Sequence, residues 1–435
     1  MCLWSVLLVV PANAQAPERR FSQGVVGAQS PDTLDRASTF FRRPAIRSLL
    51  ARLESGSLPA SAVDSALTGS GIALSQLLHA RILRETNGRY AIGFSYFTLD
   101  DVRRIRAAAD RHVPALVNAF LAHRRDFERI FASYPVASVD RGRLATVLLA
   151  GFALNWDGLT LTRELGYRRP EFVTGANWHY AFWAAEVDPE YSTRGFIWGS
   201  SSIFTAGANF PVKPVDFVLS SFGDPFSSPR MNLPDVLSLP TAQMTPDVRD
   251  AVDHIGTVDE TFIGRSFRGV LGFARARSLG PMLFALRQGA RSARELRRVV
   301  RLEDRDQTEK LLELLVAMDY VRARPDGRYE LATPVLDVAD SAMVRDAIAL
   351  HRQILVPWLE HTFPLLRSDL EGLTVIRQGM LLEACFTQIW HDLFGLATRE
   401  LVRAGMIADP YSRGVRHPGS LAVVWRSRVF AWSPG

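Results

Sequence analysis

Apolar residues recur at helical spacing through much of the chain, and short alternating segments interrupt them. The first predicted helix carries a stripe on one face, closed by a Ser-Gly pair: Ile46, Leu49, Leu50, Leu53. A second helix is predicted from Pro59 to Leu67 and a third from Leu74 to Ile82. Asn87-Gly88 then lies at the centre of an alternating segment, which is a strong signal for a tight β-hairpin. The order is therefore helix, helix, helix, hairpin.

The same order is predicted again after residue 280. Its three helices run from Met282 to Gly289, from Ser292 to Val300 and from Arg305 to Met318. Asp326-Gly327 marks the second hairpin. The repetition of one local pattern about 240 residues later indicates that the chain contains two copies of one unit.

Short sequence matches in the same order support an internal duplication. The matched segments are Asn87-Gly88-Arg89-Tyr90 with Asp326-Gly327-Arg328-Tyr329, Val113-Pro114-Ala115-Leu116 with Val356-Pro357-Trp358-Leu359, Ala153-Leu154-Asn155-Trp156 with Thr387-Gln388-Ile389-Trp390, Glu164-Leu165 with Glu400-Leu401, and Phe196-Ile197-Trp198 with Phe430-Ala431-Trp432. We predict a leader and linker at 1–44, a first unit at 45–204, a loop and helical insert at 205–280 and a second unit at 281–435.

Long helices are predicted to follow each hairpin. Their bounds are Leu99 to Ala132 and Gly142 to Leu165 in the first copy, and Ala342 to Phe363 and Val375 to Arg403 in the second. Pro114 and Pro357 are expected to kink the first helix of each pair or to divide it in two.

Aromatic strands are predicted at the end of each copy. Trp178 to Trp183 is expected to pair with Phe196 to Trp198, and Leu421 to Trp425 with Val429 to Trp432. By symmetry, the two hairpins are expected to join into one four-stranded sheet. The predicted fold is mainly α with small β-hairpins.

The second copy carries a family resemblance in its third helix and hairpin. Leu311-Leu312-Glu313-Leu314-Leu315, followed by Tyr320-Val321-Arg322 and Asp326 to Leu331, resembles the recognition helix and wing of the ArsR/MarR-like winged helix-turn-helix superfamily. The resemblance implies a chain of tandem duplicated winged-helix plus helical-hairpin units. It also implies DNA binding, with the third helix in the major groove and the wing on the backbone.

Candidate nucleic-acid contacts follow from that resemblance. They lie on the third helix and wing of the first copy and on the second helix and wing of the second: Gln76, Arg81, Arg84, Arg89, Arg294, Arg297, Arg298, Arg328. The third helix of the second copy is evidence against DNA binding, because it carries acidic residues that would repel phosphates: Glu303, Asp304, Asp306, Glu309. A winged helix without base-reading side chains is also used for dimerisation or as a scaffold. The two hypotheses are a non-enzymatic DNA-binding regulator and a dimeric scaffold.

The charge balance permits an anionic partner without requiring one. Lysine and arginine number 51 against 45 acidic residues, and Lys213 and Lys310 are the only lysines. This bias toward arginine lowers the weight of any single arginine. Two cysteines, Cys2 and Cys385, exclude a disulfide framework and any multi-cysteine metal site.

No cofactor is predicted, because the sequence contains no phosphate-binding loop, dinucleotide fingerprint or His-Glu-x-x-His metal motif. The longest apolar run, Leu144 to Leu154, is too short for a membrane span and suits a buried helix. The oligomeric state is open between a monomer and a homodimer.

A ligand site between the two copies is the alternative function, as a small-molecule-binding protein or an enzyme. Asp157 beside Trp156 corresponds in position to His391 beside Trp390, each inside an apolar helical run. Unpaired burial of such groups costs about 1–3 kcal/mol, so they need partners. The partners are either each other or a ligand, and the structural alternatives are a capped helix end or a carboxylate–histidine pair. Asp224 and Arg230, in a turn-rich loop of the insert, are further ligand-binding candidates.

The N-terminus bears on localisation. Leu3 to Val10 is apolar and is followed by an Ala-x-Ala pattern ending at Ala14, as in a secretory signal peptide. No basic residue precedes it, so an apolar tail or a misplaced start is equally compatible. A cytoplasmic location suits the DNA hypothesis, and export to the periplasm or medium suits the ligand-binding alternative.

Overall fold

The computed structural model describes residues 19–27, 37, 39–169, 172–174, 178–188, 198–204, 217–223, 280–300, 305–317, 319–409 and 421–425. Within these residues the fold is mainly α with four small sheets, which confirms the predicted fold class at that level. The predicted signal peptide, the helical part of the predicted insert and the strand expected at Val429 to Trp432 lie outside the described residues.

The first half of the chain, residues 44–188, begins with three helices and a hairpin. Their bounds are α1 Pro44–Leu53, β2 Leu58–Pro59, α2 Ala60–Leu67, α3 Leu74–His79, β3 Leu83–Thr86 and β4 Arg89–Ile92. It continues with β5 Ser95–Phe97, α4 Leu99–Ala122, α5 Arg124–Ala132, α6 Arg141–Ala145, a π-helix Thr146–Asp157, α7 Gly158–Glu164, β6 Phe172–Thr174 and β7 Trp178–Glu186. The strand β1, Phe21–Gly27, precedes this half.

The second half, residues 280–425, opens with the same order. Its elements are α8 280–287, β10 Arg291–Ser292, α9 Ala293–Val300, α10 Arg305–Ala317, β11 Val321–Ala323, β12 Arg328–Leu331 and β13 Val335–Leu336. A 3-10 turn Val338–Asp340 leads to α11 Ser341–Leu370, α12 Thr374–Arg377, α13 Leu382–Arg403 and β14 Leu421–Trp425. Between the halves lie β8 Trp198–Phe204 and β9 Phe217–Gly223.

Each three-helix segment carries a small sheet with the same strand order. In the first segment, residues 44–97, β4 lies between β2 and β3, and in the second, residues 280–336, β12 lies between β10 and β11. The turn of the first hairpin has φ of 53° at Asn87 and 71° at Gly88, the left-handed values that a two-residue hairpin turn requires. Both predicted hairpins are therefore confirmed.

Pro114 and Pro357 do not divide their helices. α4 continues through Pro114 and ends before His123, and α11 continues through both Pro357 and Pro364. The division expected at these prolines is wrong. The predicted helix Leu99 to Ala132 breaks instead where α4 meets α5. The other predicted helix of the second half, Val375 to Arg403, breaks near Gly379, whose φ is 90°, between α12 and α13.

The first predicted aromatic hairpin does not form, and the partner predicted for β14, Val429 to Trp432, lies outside the described residues. β7 pairs in parallel with β5 and antiparallel with β1 and β6. β14 pairs in parallel with β13 and antiparallel with β9, which pairs with β8. The two sets belong to separate sheets, so the single symmetric sheet is wrong. The region 15–44, predicted as a linker, also contributes a strand, because β1 pairs with β7 along seven residues.

The two halves dock on each other reciprocally. Between the last long helices of the second half, Gln378 donates from Nε2 to the Leu53 carbonyl and accepts from the Ile92 N–H at 3.3 Å. In the first half, Tyr134 lies between the corresponding helices, and its hydroxyl donates to the Val335 carbonyl and accepts from the Val335 N–H, both at 2.9 Å. Each three-helix segment is therefore fixed to the helical part of the other half.

The π-helix forms the centre of the core. Every residue from Thr146 to Asn155 is buried, as is Asp157. A helix of this type seldom exceeds one turn and often occurs near functional sites. Residues 141–164 are long and apolar enough to cross a membrane, but 89% of the apolar window within them is buried inside the protein.

Candidate functional site

The candidate DNA contacts of the first half are largely engaged in internal bonds. Gln76 accepts from the Ala73 N–H at 2.8 Å and so caps its own helix. Arg84 donates to the carbonyls of Ile92 and Gln378, and burial lowers its pKa. Arg89 is exposed at the hairpin but donates to Ser57. Arg81 is exposed in a left-handed conformation with φ of 58°.

The candidate arginines of the second half are more open. Arg294 and Arg298 are exposed on α9, and Arg297 is half-buried beside them. Within the described residues, no carboxylate pairs with any of the three. Arg328, on the neighbouring hairpin, lies 3.6 Å from Glu295 Oε2 and is about half exposed. This helix face is the strongest candidate for an anionic partner.

The helix after this basic face is acidic. Glu309 and Glu313 lie on α10 near Tyr329, and burial together with these two carboxylates raises the pKa of the Tyr329 hydroxyl. Carboxylates on the helix that would enter the major groove oppose phosphate contact. The geometry therefore supports contact through α9 better than base reading through α10.

The candidate ligand residues of the first half lie at the end of the π-helix. The Trp156 ring packs on Phe152 at 4.8 Å and near Trp425 at 6.5 Å, which makes it part of an aromatic cluster. Asp157 is 2% exposed. Its partners come from α11 in the other half: His351 and Arg352.

Arg352 binds the Asp157 carboxylate in a bidentate contact. Arg352 Nε lies 3.1 Å and 3.0 Å from the two carboxylate oxygens, and Nη2 lies 2.7 Å from Oδ1. Nη1 reaches Glu164 Oε2 at 3.0 Å. Both acidic residues belong to the first half, so this guanidinium connects α11 to two successive turns of the other half.

His351 lies on the other side of the same carboxylate. Its Nδ1 is 3.2 Å from Asp157 Oδ2, outside hydrogen-bond geometry, and the residue is fully buried. Nε2 has no hydrogen-bond partner among the described residues, and the ring lies 5.9 Å from that of Phe120. Burial alone would raise the pKa of Asp157, but the close approach of His351 and Arg352 lowers it overall.

His351 beside Asp157 resembles a histidine base that a carboxylate orients, but both side chains are buried. A general base must reach the proton that it removes. His351 Nε2 does not face solvent, and the carboxylate is held by the guanidinium. The cluster of Asp157, Glu164, His351 and Arg352 joins the halves, and we name it the inter-half cluster.

Trp390 and His391 bond to backbone carbonyls outside this cluster. Trp390 Nε1 donates to the Leu154 carbonyl at 2.9 Å, and His391 Nδ1 lies 2.6 Å from the Thr387 carbonyl of its own helix. Burial lowers the pKa of His391 to about 4, so the ring is neutral at pH 7 and donates from Nδ1. The expected pairing of Asp157 with His391 is wrong: the histidine beside the carboxylate is His351, which approaches to 3.2 Å without hydrogen-bond geometry.

Next to His391, burial raises the pKa of Asp392 to about 7, against an opposing effect of Arg106. This carboxyl has no hydrogen-bond partner among the described residues. Arg106 itself bonds to Asp110 one turn along α4.

Asp224 and Arg230 lie outside the described residues. Among those that are described, no group of three or more histidine, cysteine, aspartate or glutamate side chains is placed to hold a metal ion. Cys385 is buried, and its thiol donates to the Leu382 carbonyl at 3.4 Å.

Sequence reasoning missed His351 and Arg352, although a signal was present. His351 falls on the buried stripe of α11 formed by Val344, Ala347, Ile354 and Trp358. A histidine on an apolar helix face predicts a buried polar partner, yet nothing local identifies which carboxylate it meets.

Comparisons of this chain with protein-family models, with curated proteins and with solved structures found no match.

Proposed function

We propose that the chain is an internally duplicated winged-helix protein that acts as a non-enzymatic scaffold. Its two halves form, within one chain, the kind of symmetric pair that most oligomers build from two subunits. The shared order of helices and strands in 44–97 and 280–336, with the middle strand of each sheet contributed by the hairpin's second strand, supports the duplicated winged helix.

The reciprocal docking of the two halves is the main observation that supports the scaffold function. Gln378 of the second half satisfies backbone groups of Leu53 and Ile92, while Tyr134 of the first half satisfies both backbone groups of Val335. Arg143 of the first half also pairs with Asp319 at 2.7 Å. Backbone groups bonded in this way are costly to separate, so the two winged helices are held at a fixed spacing.

The internal bonds of the first winged helix also favour a scaffold over a sequence reader. Base reading needs side chains on the third helix that are free to reach the groove. Gln76 instead caps that helix, and the Arg84 guanidinium is bonded to the second half.

Equilibrium unfolding of the full chain tests the scaffold. Light scattering should give the mass of one chain, and circular dichroism and tryptophan fluorescence should report one coincident unfolding transition. Gln378→Ala should lower the stability of that whole transition by about 1–3 kcal/mol, because two backbone groups lose a partner. Gln76→Ala, which removes a surface cap, is the matched control and should cost about 1 kcal/mol or less. Two separate transitions, with Gln378→Ala affecting one of them, would contradict the scaffold.

Duplex DNA binding through α9 is the second candidate function. Arg294, Arg297 and Arg298 supply three positive charges on one helix, and none is paired with a carboxylate among the described residues. Three phosphate contacts predict that the logarithm of the binding constant falls with the logarithm of salt concentration with a slope of about −3. Since α10 presents acids, we expect no sequence preference.

Mobility shift with duplex DNA tests this candidate. Arg294→Ala/Arg297→Ala/Arg298→Ala should abolish the shift. Arg42→Ala/Arg43→Ala/Arg52→Ala removes the same charge from exposed positions of the first winged helix and should leave most of it. Equal loss in both triple variants would indicate dependence on net charge and not on α9, and no shift with the unaltered protein would reject DNA binding.

A further inference from the structure

A cavity of about 450 Å³ lies where the first half meets the end of α13. Its apolar wall comes from Phe127, Phe131, Leu149 and Met406, and Arg124, Glu128 and Arg141 also line it. This volume falls within the range typical of small-molecule sites, which combine an apolar lining with a few fixed polar groups.

Arg141 supplies a fixed positive charge to this cavity. Its guanidinium donates to the Tyr134 carbonyl at 2.6 Å and the Val136 carbonyl at 3.2 Å, and it stacks over the Tyr134 ring at 5.4 Å. No carboxylate pairs with it among the described residues. Arg124, by contrast, is paired with Glu128 at 2.9 Å. The charged residues of the lining therefore carry a net positive charge, and Arg141 is held in place before any ligand arrives.

The corresponding helix end of the first half is filled. In both halves the last long helix ends at a glycine with positive φ, Gly166 at 77° and Gly405 at 65°. The next residue is Tyr167 in the first half, and its ring stacks on Phe363 at 4.2 Å. In the second half the next residue is Met406, at the wall of the cavity. The cavity thus coincides with a tyrosine-to-methionine difference between two equivalent positions.

We propose that this cavity binds a small organic anion with an apolar aromatic or aliphatic body, its acidic group on Arg141 and its body between Phe127, Phe131 and Met406. The proposal does not depend on the scaffold or on DNA binding. It places a ligand at the contact between the halves, away from the inter-half cluster.

Binding of 8-anilinonaphthalene-1-sulfonate to the full chain, followed by fluorescence and calorimetry, tests the proposal. We expect one saturable site per chain. The uncharged N-phenyl-1-naphthylamine, which has the same rings, should bind at least about tenfold more weakly, since it lacks the anion. Equal binding of the two probes, or many weak sites, would overturn the proposal.

Met406→Tyr should fill the cavity and weaken binding of the anionic probe by about tenfold or more. Tyr167→Met, the reverse change at the equivalent helix end, is the matched control and should leave binding unchanged. If Met406→Tyr does not fold, judged by circular dichroism, Ala132→Trp offers a second route, because Ala132 lines the cavity from an exposed position. Unchanged binding in a folded variant of either kind would exclude this cavity as the site.

Discussion

Asp157 and Arg352, 195 positions apart in the chain, meet across the contact between the two halves. The carboxylate side chain is 2% exposed and the guanidinium side chain 36% exposed. The pair is therefore unequal: the acid depends on the base for its charge to be compensated, while the base can also interact with water and with Glu164. This inequality sets the outcome of substitutions at the two positions.

Arg352→Met should destabilise the protein more than Asp157→Asn. Loss of the guanidinium leaves a buried carboxylate without its main partner, and we expect a loss of about 3 kcal/mol in the free energy of unfolding. Asp157→Asn leaves a partly exposed arginine still bonded to Glu164, and the expected loss is about 1–2 kcal/mol. Urea unfolding at pH 7 measures both.

Arg403→Met serves as the control for this comparison. Arg403 is exposed and pairs with Glu400 within the same helix, so its loss should change stability by less than about 0.5 kcal/mol. Equal losses for Arg352→Met and Asp157→Asn would show that burial does not distinguish the partners.

Asp392→Asn should raise stability, and the gain should depend on pH. The folded-state pKa is about 7, above the ordinary value of 3.8. Between these values the folded state retains a proton that the unfolded state has released, so stability falls as pH rises toward 7. The variant removes that loss. Since Asp392 is half-buried and partly screened by solvent, we expect a gain of about 1–2 kcal/mol at pH 8.

The gain for Asp392→Asn should shrink as pH falls and approach zero below pH 4, where both states become protonated. Unfolding measured at several pH values between 4 and 8 gives the profile. Asp110→Asn, an exposed change on the facing helix, should show no such growth with pH. A gain that does not vary with pH would indicate an effect other than proton release.

His391→Gln should raise stability at acid pH, whereas Asp392→Asn should raise it at neutral and alkaline pH. The folded-state pKa of His391 is about 4, below the ordinary 6.5, because the ring is buried. Between these values the unfolded state binds a proton that the folded state does not, so stability is lost as pH falls from 6.5 toward 4. The variant should reduce this loss by roughly 2–3 kcal/mol.

The control for this profile is His79→Gln, at an exposed position on α3. It should leave the shape of the profile between pH 4 and 6.5 unchanged. If His391→Gln also leaves it unchanged, the ring is not held neutral in the folded protein.

Gly158→Ala should be strongly destabilising for steric reasons. A Cβ at this position would lie 2.5 Å from the Trp390 ring, and that ring is fixed by its bond to the Leu154 carbonyl. We expect a loss of about 1–3 kcal/mol in thermal or urea unfolding. Gly142→Ala is the matched helical control: its nearest neighbour is an Asp140 oxygen at 3.1 Å, and the gain in helix propensity offsets part of the cost. A smaller loss at Gly158 than at Gly142 would contradict the packing described.

The local elements could be predicted because their causes are local. The stripe Ile46, Leu49, Leu50 and Leu53 and the turn at Asn87-Gly88 involve residues within one or two turns of each other, and both predictions are confirmed. The division expected at Pro114 and Pro357 does not occur, because both lie inside long helices that tertiary packing keeps continuous. The sequence shows that His351 lies on an apolar helix face. It does not show which carboxylate that histidine meets.

The sequence by itself determined that the chain is mainly helical, where its hairpins turn and that one three-helix pattern occurs twice. Tertiary structure decided that β1 pairs with β7, that Asp157 meets His351 and Arg352 and not His391, and that Gln378 docks on the opposite half. The physical reason is the distance along the chain over which each kind of interaction acts. Periodicity and turn chemistry act over a few residues, whereas these pairings join segments more than 150 residues apart, and their free energy exists only once the whole core is assembled.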